Sequence, residues 1–381
     1  SWQVDYLLKI REAKRKYGIR FVPFVHDLIP IVAPQYVVAD LTRDYVAWLL
    51  AIFDHADLFL TNSRSTRADL IAAAQRLGHR LGEEKVVIVP LDAQFSARDA
   101  IPNEARDLLR ARGLAGQPFV LFVATVEPRK NHLAAINAWS ILLREFGARM
   151  PKLVCVGGRG WMNDDVFQRV AAEEGLERNV LFLHGLSDRE LAACYDACLF
   201  TLFPSHYEGW GLPVTESLCH GKVPVLADNS SLPEAGGPFA SYFETGSQTA
   251  LTDVLRRMIG EPAHRLALER RIADEFRPRT WQALGEQIRD AVFARFAETE
   301  SSSLPGVPRI RLGSFYPFAR NIARRLRPGL VSGEILRSST EWHVPEDWGV
   351  WSRGTSVEIA GRFPAGEPLR AYIGVRGLPG T

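Results

Sequence analysis

The run PFVLFVATV at residues 118–126 carries no polar side chain on either face until Thr125. A strand apolar on both faces belongs inside a parallel sheet that helices cover on both sides. Four further runs of the same kind follow: KLVCVGG (152–158), NVLFLHG (179–185), LFTLFPS (199–205) and KVPVLAD (222–228). The stretches between them, Asn131–Phe146, Asp164–Gly175, Asp188–Ala197 and Pro213–His220, have helical periodicity and predict the covering layers. Residues 98–300 therefore read as a doubly wound α/β unit of Rossmann-like type.

Upstream, FVPFVHD (21–27), ADLFLTNS (56–63) and KVVIVPLD (85–92) predict three more strands, with helices at Leu41–Phe53 and Ser65–Leu77. An open sheet flanked by helices usually carries about four to six strands. Residues 1–97 thus read as an incomplete second Rossmann-like unit, with a hinge at Asp92–Asn103. Downstream, SSSLPGVP (301–308) has linker composition. Residues 301–330 are expected to hold a linker and a basic amphipathic helix, FYPFARNIARRLRPG (315–329), suited to an anionic membrane surface or to docking on its own protein. Residues 331–381, with TSVEIAGRF and LRAYIGV, read as the start of a β-rich domain whose tryptophans serve as core aromatics or sugar-stacking faces. The chain opens on Ser1 and stops after Gly-Leu-Pro-Gly, so both ends read as cut.

The 381 residues are 46% apolar and 24% charged, which excludes a disordered or collagen-like chain. A net charge of +2 supplies no whole-chain field for nucleic acid. Four cysteines, Cys155, Cys194, Cys198 and Cys219, make neither a disulfide framework nor a zinc spacing and read as buried small hydrophobes in a reducing cytoplasm. No apolar run is long enough to span a bilayer.

Chemistry concentrates at the predicted strand ends. In SHYEGWGLPVTESLCHGKVPVLA (205–227), Pro213 suits the first turn of a helix and Gly221 its stop. The amino end of that helix would face the ligand crevice of the sheet and hold a phosphate or a sugar hydroxyl. Glu208 and Glu216 flank it eight residues apart, and Gly209 and Gly211 permit close backbone approach. In VATVEPRKNH (123–132) a strand gives way to a helix at Arg129 and Lys130. Lys130 stands out because the chain has seven lysines against 39 arginines. Two cations at that edge can neutralise a diphosphate, Arg129 through its fork and Lys130 as a point charge. From the upstream unit, HDLIP (26–30) would present His26; His184, after the third run, is the other histidine expected near the crevice. The chain has no D-x-D triplet and no H-x3-H pair, so no metal site is expected.

The segment EGWGLPVTE resembles the E-x7-E signature of retaining glycosyltransferases of family 4. EPRKN, LVCVGGRGW, FLHGLSDREL, SSLPEAGGP, HDLIP and TNSRSTRADL also resemble family motifs, in family order, from about residue 20 to 300. The resemblance implies the GT-B architecture, two Rossmann-like units facing across a cleft, and a metal-independent hexosyltransferase that retains anomeric configuration. It implies that Glu208 contacts the donor sugar and Glu216 the ribose. Arg129 and Lys130 would take the leaving diphosphate, Gly209, Trp210, Gly211 and Leu212 would form the backbone cradle, and His26 would lie near the sugar. Many family members carry an arginine where this chain has Thr125, so Arg129 is expected to supply that charge. The implied donor is a nucleotide diphosphate sugar, with mannose first among hexoses, and no cofactor is expected. The implied acceptor is a glycan or lipid-linked sugar in bacterial polysaccharide biosynthesis, made in the cytoplasm or at the inner membrane face. A non-catalytic sugar-nucleotide-binding scaffold is the alternative. An oxidoreductase is disfavoured because Asn163 stands where G-x-G-x-x-G needs its last glycine. A glycosidase would not need the Arg129–Lys130 pair.

Overall fold

Alternation at period two sorts the side chains of the central strands into two separate cores. In β4 (Phe119–Val123), Val120 and Phe122 enter one cluster while Phe119 and Leu121 enter the other, and all four are fully buried. β5 (Lys152–Val156) divides in the same way, Leu153 and Cys155 against Val154 and Val156. A sheet with two dry faces needs helices on both. The helix His132–Phe146 supplies Ala135, Ile136 and Trp139 to the first face, and Asp188–Ala197 supplies Ala193, Cys194 and Tyr195 to the second. Trp139 is fully buried, and its indole N–H donates to the Pro151 carbonyl at 3.0 Å, so its one polar atom is satisfied.

With β6 (Val180–Leu183), β7 (Thr201–Phe203), β8 (Pro224–Ala227) and β9 (Ser241–Phe243), these strands form a six-stranded parallel sheet ordered β6-β5-β4-β7-β8-β9. The order reverses between β4 and β7, and a crevice opens beyond the carboxyl ends of strands at such a point. The five runs read from the sequence are β4 to β8; β9 is an addition. Local chemistry fixes the helix ends. Ser187 and Glu190 form a reciprocal capping box, and Ser247 accepts the Ala250 N–H at 3.2 Å.

A second sheet, three-stranded and parallel, is ordered β1-β2-β3 from Phe24–Val25, Phe59–Thr61 and Val86–Ile88. The helix Arg64–Arg76 follows β2, with Ser63 accepting the Thr66 N–H as its cap. Late in the chain, the helix Trp281–Ala297 packs Leu284 against Leu60, Val89 and Ala93 of this sheet region. Arg279 secures that return with an ion pair to Asp92 and a 2.7 Å bond to the Pro90 carbonyl.

The computed structural model describes residues 4–93, 107, 109–297, 310–318, 333–337, 341–343, 346, 348–364, 366 and 370–375. Two compact units are distinguished. Val22–Thr42 and Asp57–Ser301, with both sheets, form one; Ser1–Phe21, Arg43–Ala56 and Ser302–Thr381 form the other. In the latter, Lys14 donates to the His55 carbonyl at 2.7 Å and Arg11 to His55 Nε2 at 3.1 Å. Its described C-terminal residues include the antiparallel bridges Arg337–Ile359 and Trp342–Ser352. Trp342 is buried and stacks on Phe318 at 5.7 Å, a core role. Most of the expected basic helix, 319–329, lies outside the described residues, as do most of the hinge and of the linker; Phe315–Phe318 are not helical. Cys155, Cys194 and Cys198 are buried free thiols, and burial pushes Cys194 up to about 11 and Cys198 up to about 12. Among the described residues no helix is long and apolar enough to cross a membrane.

Candidate functional site

The two loops at the reversal point are built as one piece. After β4 the chain turns through Pro128–Lys130, and Asn131 takes a left-handed conformation (φ 60°) before the helix begins. After β7 the loop 204–211 is stapled on both sides. The His206 N–H donates to the Arg129 carbonyl at 2.8 Å, and Asn229 donates to the Ser205 carbonyl at 2.9 Å. Ser230 accepts the Glu208 N–H, and Ser231 donates to the Glu208 carbonyl, each at 2.9 Å. The Glu208 backbone is thereby fixed before its side chain is considered.

That side chain is buried (8% exposed) and held by both predicted cations. Lys130 Nζ lies 2.5 Å from Oε1 and Arg129 Nη1 lies 2.9 Å from Oε2. Burial alone would push this carboxyl up; Lys130 and Arg129 outweigh it and hold it below its ordinary range. Arg129 also donates to the Tyr207 carbonyl at 2.8 Å and to Glu127 at 2.6 Å, so its fork is fully engaged behind Glu208. Lys130, by contrast, lines a cavity of about 330 Å³ with Glu208, Ser205, His26, Asp27 and Asn62.

The floor of this cavity is the segment Gly209–Pro213, which opens the helix Leu212–Cys219. Gly211 caps that helix at φ +94°, a conformation that disfavours any side chain. Gly209 meets a different demand: a Cβ there would stand 2.2 Å from the His26 carbonyl oxygen. The loop after β1 and the loop after β7 touch at this point, so β1 delivers His26 and Asp27 to the same cavity. Trp210 is buried, its N–H bonded to Thr215 at 3.1 Å, whereas Leu212 is exposed along the rim.

His26 stacks on Phe24 at 4.6 Å; burial pushes its imidazole down, against the opposing pull of Asp27, which favours the neutral ring at pH 7. The Asp27 carboxylate accepts the Ile29 N–H at 3.0 Å; burial pushes it up, offset in part by that bond and by Arg129. Tyr207 ties the β7 loop to the helix Arg64–Arg76 by donating to Asp69, and Glu234 accepts the N–H groups of Arg64 and Ser65 at 2.8 and 2.9 Å.

The structure thus brings together Glu208, Lys130, Arg129, His26, Gly209, Trp210, Gly211 and Leu212. Glu216 stands beside the cavity wall rather than on it, accepting the Tyr195 hydroxyl at 2.7 Å, and burial pushes its carboxyl up. His184 is exposed at the end of β6 and is not among the lining residues. Reading the sequence passed over Asp27, Asn62 and Tyr207. Asp27 and Tyr207 lie inside stretches already quoted, beside residues that were chosen, so proximity to those residues was the available signal.

Residues 106–274 match the family described as glycosyl transferases group 1. The chain is 33% identical over 220 residues to the O-antigen chain mannosyltransferase B of Escherichia coli, covering 57% of this chain and 55% of that protein. It is 30% identical over 209 residues to the serotype-specific mannosyltransferase WbdA of Escherichia coli, covering 53% of this chain and 25% of that one. The chain therefore spans between about a quarter and about half of the length of these relatives. Among solved structures, Anabaena HepE in complex with UDP-glucose aligns at TM-score 0.58 and 18% identity, covering 76% of this chain and 77% of that one. Sucrose-phosphate synthase from Thermosynechococcus elongatus aligns at TM-score 0.55 and 20% identity, covering 76% and 71%. At such identities the structural likeness speaks for the fold, which is GT-B. The sequence of 106–274 carries a glycosyltransferase group 1 domain.

Proposed function

We propose that the protein is a retaining glycosyltransferase of family 4 type that moves a hexose from a nucleotide diphosphate sugar to a glycan or lipid-linked acceptor in bacterial polysaccharide synthesis. The observation that carries this reading is the convergence of Lys130, Glu208 and the amino end of the helix Leu212–Cys219 on one cavity at the strand-order reversal. Breaking a sugar–diphosphate bond leaves negative charge on the departing phosphate. Preorganised cations and N–H donors aimed at that charge are the largest single catalytic term available.

In this reading the diphosphate enters against Lys130 and the helix amino end, and shares the Lys130 ammonium with Glu208. Arg129, held by Glu127 and the Tyr207 carbonyl, adds positive field from behind. Glu208, kept in place by Arg129 and its stapled backbone, offers its oxygens to the sugar hydroxyls and to the charge developing at the anomeric carbon. Glu216 is the group proposed to hold the ribose, Gly209–Leu212 cradle the phosphates, and His26 lies near the sugar. The charge of the leaving group is met by side chains, so the reaction as proposed needs no metal. Mannose is the favoured sugar, because the curated relatives named above are mannosyltransferases.

A panel of GDP- and UDP-sugars, assayed for transfer, for slow hydrolysis and for thermal stabilisation, tests the proposal. GDP-mannose is expected to give the largest signal. Stabilisation by free nucleotides with no transfer or hydrolysis of any sugar would leave the binding scaffold as the better reading. Retention is checked by the anomeric configuration of the product.

A further inference from the structure

Three consecutive polar residues, Thr61, Asn62 and Ser63, follow the last apolar positions of β2 and divide sharply in what they do. Thr61 donates its hydroxyl to the Ser63 carbonyl at 3.4 Å, and Ser63 caps the next helix by accepting the Thr66 N–H at 2.9 Å. Both are buried and both are committed to holding the chain. Asn62 is equally buried (3% exposed), yet its Oδ1 has no hydrogen-bond partner. It lines the cavity that Lys130, Glu208 and His26 also line.

An unpartnered carbonyl at that depth is unfavourable, and native structures rarely tolerate one without a reason. Packing does not supply the reason, because Leu91, Val123 and Phe203 line the same cavity and an apolar residue would sit among them at no such cost. The chemistry of the group narrows what could enter. A neutral carboxamide offers one acceptor and two donors, which match a hydroxyl, whereas an anion is better served by the cationic wall at Lys130.

We propose that the Asn62 carboxamide hydrogen-bonds a hydroxyl of the transferred sugar, making it a specificity-determining residue contributed by the three-stranded sheet. This rests on the glycosyltransferase reading given above and extends it to the choice of sugar. A site built to bond a hydroxyl rejects the analogue that lacks it, because its buried polar group is then stranded.

The test compares wild type with Asn62→Leu, using the full chain, GDP-mannose and UDP-glucose, and the analogues of each that lack one hydroxyl. In wild type, one deoxy analogue is expected to lose about 10- to 100-fold in kcat/KM. In Asn62→Leu that same penalty should shrink to less than about 3-fold, while the penalties at the other hydroxyls persist. Affinity for free GDP and UDP should not change, and the melting temperature of the empty protein should not fall, since the leucine removes a group that had no partner. Asn62→Ala repeats the comparison in case the leucine variant does not fold. Deoxy penalties identical in wild type and variant, or equal losses for sugar donors and free diphosphates, overturn the assignment of Asn62 and leave the glycosyltransferase reading standing. Absence of turnover of every donor by wild type overturns both.

Discussion

Side chains at the carboxyl ends of β4 and β7 satisfy one another before any ligand arrives; Asn62, at the end of β2, reaches the same cavity unsatisfied. On the first side, Glu208 has two cations, Arg129 has three acceptors, and the loop backbone is stapled by Ser230 and Ser231. On the second, Asn62 keeps a bare carbonyl oxygen and His26 is held by ring stacking. Under the proposed glycosyl transfer, the contrast separates two tasks. Charge stabilisation demands groups that are already oriented when the reaction begins, because reorientation would consume the benefit. Selection among neutral sugars works through polar groups that gain a partner only when the right ligand is present.

Breaking the paired side should have the largest consequence. Lys130→Ala and Glu208→Gln are each expected to reduce transfer at least about 100-fold, the scale of losing one charge-stabilising donor, measured as kcat/KM with the donor that wild type prefers. Near-normal turnover in both would erase the distinction between the two sides. Joining the sides too tightly comes next. Gly209→Ala would set a methyl 2.2 Å from the His26 carbonyl oxygen, and the forced shift should cost about 1–3 kcal/mol of stability, read by denaturant unfolding. An unchanged midpoint would mean that the two loops separate freely.

The paired side also carries a pH signature. The folded-state Glu208 carboxyl is lowered from its ordinary 4.5, so the unfolded chain takes up that proton first as pH falls. Its contribution is therefore complete above about 4.5 and is lost as pH falls toward the lowered value. Glu208→Gln should flatten that part of the melting-temperature profile below pH 4.5, which thermal scans from pH 3 to 7 would check. The smallest effect is expected from Tyr207→Phe, which removes the hydroxyl donated to Asp69. A loss of about 0.5–1.5 kcal/mol in stability, with a few-fold fall in turnover, would fit a tether between the β7 loop and the helix Arg64–Arg76.

The six-stranded sheet was legible because strands buried on both faces cannot hide their composition: β4 to β8 each lie within an apolar run. β9 escaped notice because Ser241–Phe243 is too short to show a period and only partly buried. The helix Val4–Tyr17 was missed for a related reason, a mixed surface that buries Leu7 and Leu8 among many charges. Glu208, Lys130 and Gly211 could be found from their residue types at a strand end and a helix start. Asn62 could not, since what distinguishes it is a missing partner, and a string of letters does not record what a side chain fails to touch. Gly209 was singled out for close approach to a ligand, whereas its nearest neighbour in the fold is the backbone of the opposite loop.

Glu234 gives the cavity's surroundings a direction. Its carboxylate occupies the first N–H groups of the helix Arg64–Arg76 and pairs with the Arg64 side chain at 3.3 Å. The protein has stoppered that berth with an anion of its own, so a polyphosphate cannot settle there without evicting it. The helix beginning at Leu212 has no such built-in plug at its Gly211 cap. Under the proposed glycosyl transfer, a donor offered in either orientation would thus be steered into one, with its phosphates on the β7 side and its sugar turned toward β1 and β2.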